Sequence, residues 1–360
     1  MEVKEKHKKK ILRRVLIGIS IVLLLGVGAS AWVWNSLQKE VTVLEVPEAK
    51  QPVIKPSPSA STKKKPESSI PEDSLEGRSL NILLIGTDSR DGENSSLGGD
   101  ANGMRSDTVM IAHVSQDRKR VDLVSIPRDS WVDIPACYVS NDLSTQPRTT
   151  KFNAAFAYGG QTGDLGAAVG CTITTIKSLT GIEIDGFVVV DFSGFATMVD
   201  SLDGLDIYLD KGISSPKAGG LLLDAGWQHI DGETALQFAR ARSGEGLNGS
   251  DLSRIERQQM LLNTLFDKAK SKAYDLPKLY SLAHATLDTM VFSPSLGDIQ
   301  TLVGLGWATK NAETNFYTVP IIDRGDGANV LWTEDADILW EQLLKDEPIT
   351  IDSGYPGEEE

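Results

Sequence analysis

Residues 80–92 read LNILLIGTDSRDG, an apolar run that passes into a loop rich in glycine and aspartate. The run predicts a buried strand over Leu80–Gly86 that ends where the polar residues begin. Two later runs of the same character predict further strands at Thr108–Val114 and Val121–Ile126. Three such strands so close along the chain indicate that a sheet forms the centre of the fold.

Helices alternate with strands through the rest of this region. The other predicted strands are Phe187–Val190, Leu205–Leu209 and Phe316–Val319. The predicted helices are Phe152–Tyr158, Gly166–Leu179, Phe192–Leu202, Gly232–Arg240, Ser253–Lys272, Leu296–Thr309 and Glu334–Lys345. This mixed order predicts an α/β fold, an α-β-α sandwich with a mixed central sheet, over residues 80–345. Ligands of such folds favour the loops at strand ends.

The N-terminus has the pattern of a membrane anchor. Residues 1–14 carry seven basic and two acidic side chains, and residues 15–34 carry no charge. Twenty apolar residues rising about 1.5 Å each cross the roughly 30 Å hydrocarbon core, which predicts one transmembrane helix over 15–34. The basic flank predicts a cytoplasmic tip at 1–14. Small residues at 29–31 leave a cleaved signal peptide as the alternative, and in both cases the body lies outside the cytoplasm.

The segments that flank the predicted body have a different composition. Residues 35–79 show no helical or strand periodicity and contain six prolines among serine, lysine and glutamate. This composition predicts an extended extracellular linker that tethers the body close to the membrane. Residues 346–360 are predicted to form an acidic, solvated tail.

Charge and cysteine content exclude some classes of protein. The 360-residue chain has a formal net charge of −14, whereas nucleic-acid-binding proteins usually carry a basic surface. A general nucleic-acid binder is therefore excluded. The four histidines and two cysteines never fall at metal-ligand spacing, which argues against a zinc site. Outside the cytoplasm, Cys137 and Cys171 are predicted to form a disulfide.

Two aspartates stand at neighbouring ends of the first two predicted strands. Asp88 follows the first strand, and Asp107 precedes the second. Their carboxylate oxygens suit Mg²⁺ or Mn²⁺. Aspartate and glycine are also common where a strand turns into a loop, so an ordinary turn is the alternative.

Arginines collect at the ends of predicted elements. Arg128 follows the third strand, and Arg240 and Arg242 converge only if their helix ends near Arg240. A basic helix end that interacts with the helix dipole is the alternative. Arginine pairs bidentately with phosphate, so the cluster indicates a ligand with several anionic groups. The candidates are Arg90, Arg105, Arg128, Arg240, Arg242 and Arg254.

The helix after this cluster adds a further anion site. Ser253 and Glu256 fit a capping box, which predicts Arg254 in the first helical turn. Asp251, Arg254 and Gln258 then share one helix face, and a helix N-terminus beside an arginine suits an anion. Charged residues that simply flank a loop are the alternative.

Seven blocks, taken together and in this order, resemble the LytR-CpsA-Psr family. They are LLIGTDSR, RSDTVMIAHV, VDLVSIPRDSWV, KFNAAFAYGG, FVVVDFSGFATMVDSLDGLDI, GWQHIDGETALQFARAR and DLSRIERQQ. The resemblance runs from about residue 80 to about residue 275, and the layout of anchor and linker also matches the family.

The resemblance implies roles for the clustered residues. It implies that Asp88 and Asp107 bind Mg²⁺ (or Mn²⁺) and that Asp88, Asp107 and Arg254 are catalytic. The implied pyrophosphate-binding residues are Arg105, Arg128, Arg240, Arg242, Arg254 and Gln258. Residues that match the family's motifs less closely are Arg90, Lys151 and Asp251.

The resemblance also implies an activity. Members of the family are phosphotransferases that move a glycopolymer from a polyprenyl-pyrophosphate carrier to a hydroxyl of peptidoglycan or of a surface protein. The same residues leave open an extracellular lipid-pyrophosphate pyrophosphatase, or a wall- or lipid-binding regulatory module without enzymatic activity. The polyprenyl chain would need an apolar groove, although each candidate for its lining also suits the core. These candidates are Phe152, Phe156, Phe187, Val189, Phe195, Met198, Leu261 and Leu265.

Overall fold

The computed structural model describes residues 35–46, 72–87, 104–140, 143–272 and 289–351, together with 282–284 and 287. The strands are β1 Thr42–Val43, β2 Leu80–Thr87, β3 Ser106–Val114, β4 Arg120–Ser125, β5 Trp131–Ile134, β6 Tyr138–Ser140, β7 Leu143–Ser144, β8 Arg148–Lys151, β9 Gly186–Asp191, β10 Leu205–Leu209, β11 Ile213–Ser215, β12 Leu221–Leu223, β13 Gly226–Ile230, β14 Met290–Phe292, β15 Glu313–Thr318, β16 Ile321–Asp323 and β17 Val330–Trp332. The helices are α1 Ala154–Gly159, α2 Leu165–Thr180, α3 Phe192–Ser201, α4 Gly232–Arg240, α5 Asp251–Ser271, α6 Ile299–Ala308 and α7 Glu334–Leu344, with a 3₁₀ turn at Gly160–Thr162.

Seven strands form the central sheet, in the order β1-β14-β9-β2-β3-β4-β15. Strand β2 runs antiparallel to β3 and parallel to β9, and β4 runs antiparallel to β3 and parallel to β15. The predicted mixed sheet is therefore confirmed. Strands β2, β4, β9 and β15 all end at the same end of the sheet, where β3 begins. At this end, Thr87 pairs with Ser106 of β3 on one side and with Asp191 of β9 on the other.

Alternate residues of β2 face two different cores. Leu83 and Ile85 belong to a core that includes Ile173 of α2 and Leu339 of α7. Ile82 belongs to a second core on the opposite face, together with residues of α6. Side chains along a strand alternate between its two faces, so a strand that is largely apolar along its length needs a covering layer on each face. The helix layers on both faces give the predicted α-β-α arrangement.

A third core lies beside the sheet and carries α4 and α5. Phe238 of α4 and Leu261 of α5 pack there with the ribbon of β10 and β13. The residues considered for a lipid groove belong to these cores: seven are buried, and Phe195 packs against the third core. The core interpretation of these residues holds.

The folded body extends beyond residues 80–345 at both ends, which corrects the predicted linker and tail. Leu37 is buried, and β1 pairs with β14. Asp73 accepts a hydrogen bond of 2.7 Å from Arg118 Nε. At the other end, Ile349 is buried and Asp346 bonds to residues of the sheet. Apolar contacts and matched ion pairs hold these segments where composition alone indicated solvated chain.

The disulfide between Cys137 and Cys171 is confirmed, with an S–S distance of 2.07 Å. It joins the segment after β5 to helix α2, and both cysteines are buried. The predicted anchor at 15–34 and the tip at 1–14 lie outside the described residues. In the part of the chain that is described, no helix combines the length and the apolarity that a membrane crossing requires.

Candidate active site

The site forms where β3 begins, and Asp107 is its central carboxylate. Asp107 Oδ1 accepts hydrogen bonds from Arg128 Nη1 at 2.9 Å and from Arg242 Nη2 at 3.2 Å. Its backbone carbonyl accepts one from Arg254 Nη2 at 3.3 Å. Three predicted arginines from three different loops and helices thus meet at one predicted aspartate.

The charges around Asp107 determine its ionisation. Burial raises the pKa of Asp107, but Arg242, Arg254 and Arg128 more than offset burial, and the pKa falls below its ordinary value. The carboxylate therefore remains ionised throughout the physiological range. A permanent negative charge at this position holds the three guanidinium groups together.

Arg254 is the largest fully buried side chain of the described residues, with 2% of it exposed. It forms an ion pair with Asp251, while its Nε and Nη1 have no hydrogen-bond partner within the described residues. Burial lowers the pKa of Arg254 to about 10, so the side chain is still charged at neutral pH. A buried cation with unpaired donors is costly to keep unless a ligand pairs with it.

Helix α5 places Arg254, but its start differs from the predicted one. The N-cap is Ser250, whose side chain accepts a hydrogen bond from the backbone N–H of Ser253, and the helix begins at Asp251. The predicted capping box at Ser253 and Glu256 is wrong. Ser250 is favoured because its extended backbone leaves its hydroxyl oxygen facing the first helical N–H groups.

A second group of charges continues outward from Arg128. Arg128 Nε lies 3.3 Å from Asp129 Oδ2 and 3.4 Å from Asp251 Oδ1. Lys151 Nζ donates to Asp129 Oδ1 at 2.7 Å. Burial lowers the pKa of Arg128, but the three neighbouring carboxylates outweigh burial and raise it. Burial raises the pKa of Asp251 despite the arginines beside it.

The predicted helix end near Arg240 is confirmed. Helix α4 stops at Arg240, and Ala241 is extended, with ψ of 128°. The guanidinium of Arg240 lies over the Phe192 ring, 4.4 Å from its centroid. Arg242 instead donates to Asp107. The two arginines therefore occupy different places in the site.

Arg257 is a functional candidate that the sequence analysis did not select. It is buried, and it donates to the carbonyls of Phe238 and Ala241 and, at 3.3 Å, to Ser253 Oγ. Arg257 therefore links the end of α4 to α5 and fixes the position of the backbone that leads to Arg242. An arginine one turn after Arg254 was the available signal, but its partners become evident only in the fold.

The remaining predicted residues have other surroundings. Gln258 accepts a hydrogen bond from Thr108 Oγ1 at 3.0 Å and donates to the carbonyl of Ala239 at 3.4 Å, so its amide connects β3 with α4. Arg105 is exposed, and its carbonyl accepts a bond from Thr87 Oγ1. Asp88 and Arg90 lie outside the described residues. Asp129, which was not predicted, belongs to the cluster through Arg128 and Lys151.

The described cluster has an excess of cations. Four side chains are basic and three are acidic, and burial weakens the ionisation of Asp251. The basic members are Arg128, Lys151, Arg242 and Arg254, and the acidic members are Asp107, Asp129 and Asp251. Donors in excess at the end of a sheet suit an anion with several oxygens.

Metal binding has one described candidate ligand. Among the described residues, no group of three or more histidine, cysteine, aspartate or glutamate side chains could hold a metal ion. Asp107 offers a hard carboxylate oxygen of the kind that Mg²⁺ prefers, and both of its described side-chain hydrogen bonds go to Oδ1. Within the described residues, Oδ2 of Asp107 accepts no hydrogen bond.

An α-β-α fold brings three arginines to one carboxylate at the end of its sheet, and one of them, Arg254, is buried with two nitrogens unpartnered within the described residues. This site chemistry suits phosphate groups. Residues 48–343 match the LytR_cpsA_psr family, and the chain belongs to that family. The membership implied by the seven sequence blocks is confirmed.

Relatives in cell-wall synthesis are similar to this chain. It is 30% identical over 264 residues to the cell wall biosynthesis protein LcpB of Corynebacterium glutamicum, over 71% of this chain and 58% of LcpB. It is 31% identical over 206 residues to the polyisoprenyl-teichoic acid–peptidoglycan teichoic acid transferase TagT of Bacillus subtilis, over 55% of this chain and 56% of TagT. The match thus spans less than two thirds of either relative.

Solved structures share the fold. The LytR-Csp2A-Psr enzyme from Actinomyces oris aligns with a TM-score of 0.55 at 19% identity, over 76% of this chain and 93% of that one. TagT bound to LI-WTA aligns with a TM-score of 0.53 at 22% identity, over 75% of this chain and 90% of that one. At these identities the comparison establishes the fold alone.

Proposed function

We propose that this protein transfers a glycopolymer from a polyprenyl-pyrophosphate carrier to a hydroxyl of the cell wall. The observation that carries the proposal is Arg254, a buried cation with two donor nitrogens that have no partner within the described residues. Transferases that act on polyisoprenyl-linked teichoic acid are among the relatives. A pyrophosphate group would supply the acceptor oxygens that these donors lack.

The chemistry proposed is a displacement at phosphorus. The acceptor oxygen forms a bond to the sugar-side phosphorus, and the bond from that phosphorus to the bridging oxygen breaks. Polyprenyl phosphate leaves with the bonding electron pair, and the hydroxyl proton is lost to solvent. Arg128, Arg242 and Arg254 neutralise the charge that gathers on the phosphoryl oxygens and the leaving group.

The acids of the cluster hold the arginines in position. Asp107 binds Arg128 and Arg242 through one oxygen, and Asp251 pairs with Arg254. Side chains fixed before the substrate arrives need no reorganisation during the reaction, which lowers the barrier. Gln258 adds a link from β3 to α4.

Asp107, with Asp88, would hold Mg²⁺ or Mn²⁺. The ion would supply charge neutralisation on the phosphate oxygens. Three arginines surround Asp107, so their repulsion would disfavour a divalent cation until the anionic ligand is present. Calorimetric titration of Mg²⁺ with and without a lipid pyrophosphate tests this order, and equal affinity in both titrations would contradict it.

The cellular setting is part of the same proposal. A single anchor at residues 15–34 would keep the catalytic domain on the outer face of the membrane, where the lipid carrier and the peptidoglycan or surface-protein acceptor are both within reach. An extracellular setting is consistent with the disulfide between Cys137 and Cys171, because disulfides persist in oxidising compartments.

Purified full-length protein, a lipid-pyrophosphate saccharide and an acceptor glycan test the activity. We expect Arg254→Ala and Asp107→Ala to lower transfer by on the order of a thousandfold. Lys177→Ala, which removes an exposed lysine paired with Glu183, should leave transfer unchanged. Undiminished transfer by both site variants would refute the assignment.

The products separate the alternative activities. Transfer yields a glycan phosphodiester only when the acceptor is present, whereas a pyrophosphatase yields a glycan phosphate in its absence. A regulatory module would bind the lipid pyrophosphate and give neither product.

A further inference from the structure

The hairpin of β16 and β17 lies directly beside the arginine cluster. The backbone N–H of Val330 donates to the carbonyl of Asp129 at 3.1 Å, and Ser130 pairs with Val330 in a parallel bridge. Trp332 Nε1 donates to Ser130 Oγ at 3.0 Å. The hairpin is outside the seven sequence blocks, yet it is bonded to the residues that follow Arg128.

The turn of this hairpin is held in one shape by Asp326. Its Oδ1 accepts from the backbone N–H groups of Ala328 at 3.0 Å and Asn329 at 2.8 Å, and its Oδ2 accepts from Arg324 Nη1 at 2.8 Å. The Asn329 side-chain amide, followed by the Ala328 N–H, holds the pKa of Asp326 far below its ordinary value. Gly325 and Gly327 have positive φ, which the turn requires.

Arg324 extends from this turn over an aromatic ring at the edge of the site. Its guanidinium lies 4.2 Å from the centroid of Trp131. Trp131 is directly opposite Lys151 in the β5–β8 ribbon, so the two side chains are neighbours on one face. Lys151 Nζ donates to Asp129 Oδ1 at 2.7 Å and to the carbonyl of Ala328 at 3.1 Å. The aromatic face, the turn and the arginine cluster are thus continuous.

The same turn contains an unpaired acceptor. Asn329 is 9% exposed, and its Oδ1 has no hydrogen-bond partner within the described part of the chain. A buried acceptor without a donor costs free energy unless a ligand or water supplies one.

We propose that Trp131, Arg324, Lys151 and Asn329 form a saccharide subsite next to the pyrophosphate position. Pyrophosphate offers only acceptor oxygens and needs donors, as the arginine cluster provides. A sugar ring offers hydroxyls that donate and accept, together with apolar C–H faces. An aromatic ring with fixed donors and a side-chain oxygen unpartnered within the described residues, that of Asn329, is the matching set. The subsite rests on the proposed transferase function, and its sugar comes from the carrier-linked glycan or from the acceptor.

Calorimetry on the full-length protein in detergent tests the subsite with three probes. They are a short-chain polyprenyl pyrophosphate, the same lipid pyrophosphate carrying an N-acetylhexosamine, and a soluble peptidoglycan oligosaccharide added with the bare lipid. We expect Trp131→Ala and Arg324→Ala to weaken binding of a sugar-bearing probe about tenfold and to leave the bare lipid unchanged. The second probe identifies a carrier sugar, and the third identifies an acceptor sugar.

Matched controls come from a similar pair elsewhere on the surface. Lys310 lies 3.3 Å from the centroid of Trp307, so Trp307→Ala and Lys310→Ala remove the same kinds of group. Trp131→Phe keeps an aromatic face and should retain most of the affinity, which separates stacking from misfolding. The subsite is refuted if the Trp131 and Arg324 variants bind both sugar probes normally, or if they lose bare-lipid affinity equally. If the wild-type protein binds no lipid pyrophosphate, the transferase function itself fails.

Discussion

An arginine is buried at each end of the central sheet, and the two differ in how many of their nitrogens have hydrogen-bond partners. At the end away from the site, Arg118 is 7% exposed and each of its three nitrogens donates: Nε to Asp73, Nη1 to the Ser115 carbonyl at 2.9 Å, and Nη2 to the Leu75 carbonyl. At the site, Arg254 is 2% exposed, and two of its three nitrogens have no partner among the described residues.

The same contrast holds for the neighbours of the two arginines. Near Arg118, His113 is fully buried and bonds to Asn81 Oδ1 at 2.7 Å and to Asp346 Oδ1 at 3.0 Å. Near Arg254, Asp251 Oδ2 and Ser106 Oγ are buried without partners in the described chain. We call a cluster saturated when its buried polar atoms have hydrogen-bond partners, and such a cluster stabilises the fold. An unsaturated cluster leaves buried polar atoms without partners, which costs free energy until a ligand supplies the missing hydrogen bonds.

Arg254→Met should have the largest effect on catalysis. Methionine keeps much of the volume and removes the charge, so we expect transfer to fall by on the order of a thousandfold. The free energy of unfolding, measured with guanidinium chloride, should change by less than about 2 kcal/mol. Two of the Arg254 nitrogens contribute no hydrogen bond within the described residues, and Asp251 still has Arg128 as an ion-pair partner. If stability falls sharply while transfer persists, the comparison fails.

Arg118→Met should show the reverse pattern. It leaves Asp73 Oδ2 and the backbone carbonyls of Arg78 and Leu75 without their donor, so the free energy of unfolding should fall by about 3–5 kcal/mol. The turnover of the folded fraction, measured well below the melting temperature, should match that of the wild type. A turnover defect as large as that of the Arg254 variant would contradict a purely structural role at this end.

Arg257 belongs to the site end but is saturated, which makes it an intermediate case. Arg257→Ala should displace the end of α4 and lower kcat by up to about a hundredfold, the loss that a misplacement near 1 Å can cause. Lipid-pyrophosphate affinity should fall less, and Arg257→Lys should recover part of the rate because a lysine still donates to one carbonyl. An equal loss of stability and rate with no recovery by lysine would assign Arg257 to the fold alone.

Sequence patterns predicted the elements that have an apolar period. Strand Leu205–Leu209 and helix Gly232–Arg240 match their predicted bounds, because alternation and an Asp231 cap determine them locally. The ribbons with strands of two to four residues, such as β5–β8 and β16–β17, were missed because such short strands of mixed exposure show no period.

The candidate site was predictable in its members more than in its bonding. Arg128, Arg242 and Arg254 were selected at element ends, and the family resemblance supplied their roles. Asp129 and Arg257 were missed because adjacent charges in a sequence do not reveal which carbonyl or carboxylate they reach. Roles that depend on saturation, as for Arg118 and Arg254, require the fold.

The smallest predicted effect concerns pH, and it separates two aspartates of the same cluster. Burial raises the pKa of Asp251, so the folded state binds its proton more tightly than the unfolded state. The stabilisation that Asp251 contributes to folding is therefore lost as pH rises from the ordinary aspartate pKa through the raised one. Over that pH interval the free energy of unfolding of Asp251→Asn should increase relative to that of the wild type.

For Asp107 the pKa is lowered because three arginines outweigh burial. Its contribution to the free energy of unfolding is therefore present above the ordinary aspartate pKa and is lost as pH falls. The free energy of unfolding of Asp107→Asn should therefore fall furthest below that of the wild type near neutral pH, and least in acid. Chemical unfolding from pH 3 to pH 7 in EDTA measures both differences. Equal signs for the two variants would show that the arginines affect both carboxylates alike, which would remove the electrostatic asymmetry from the site.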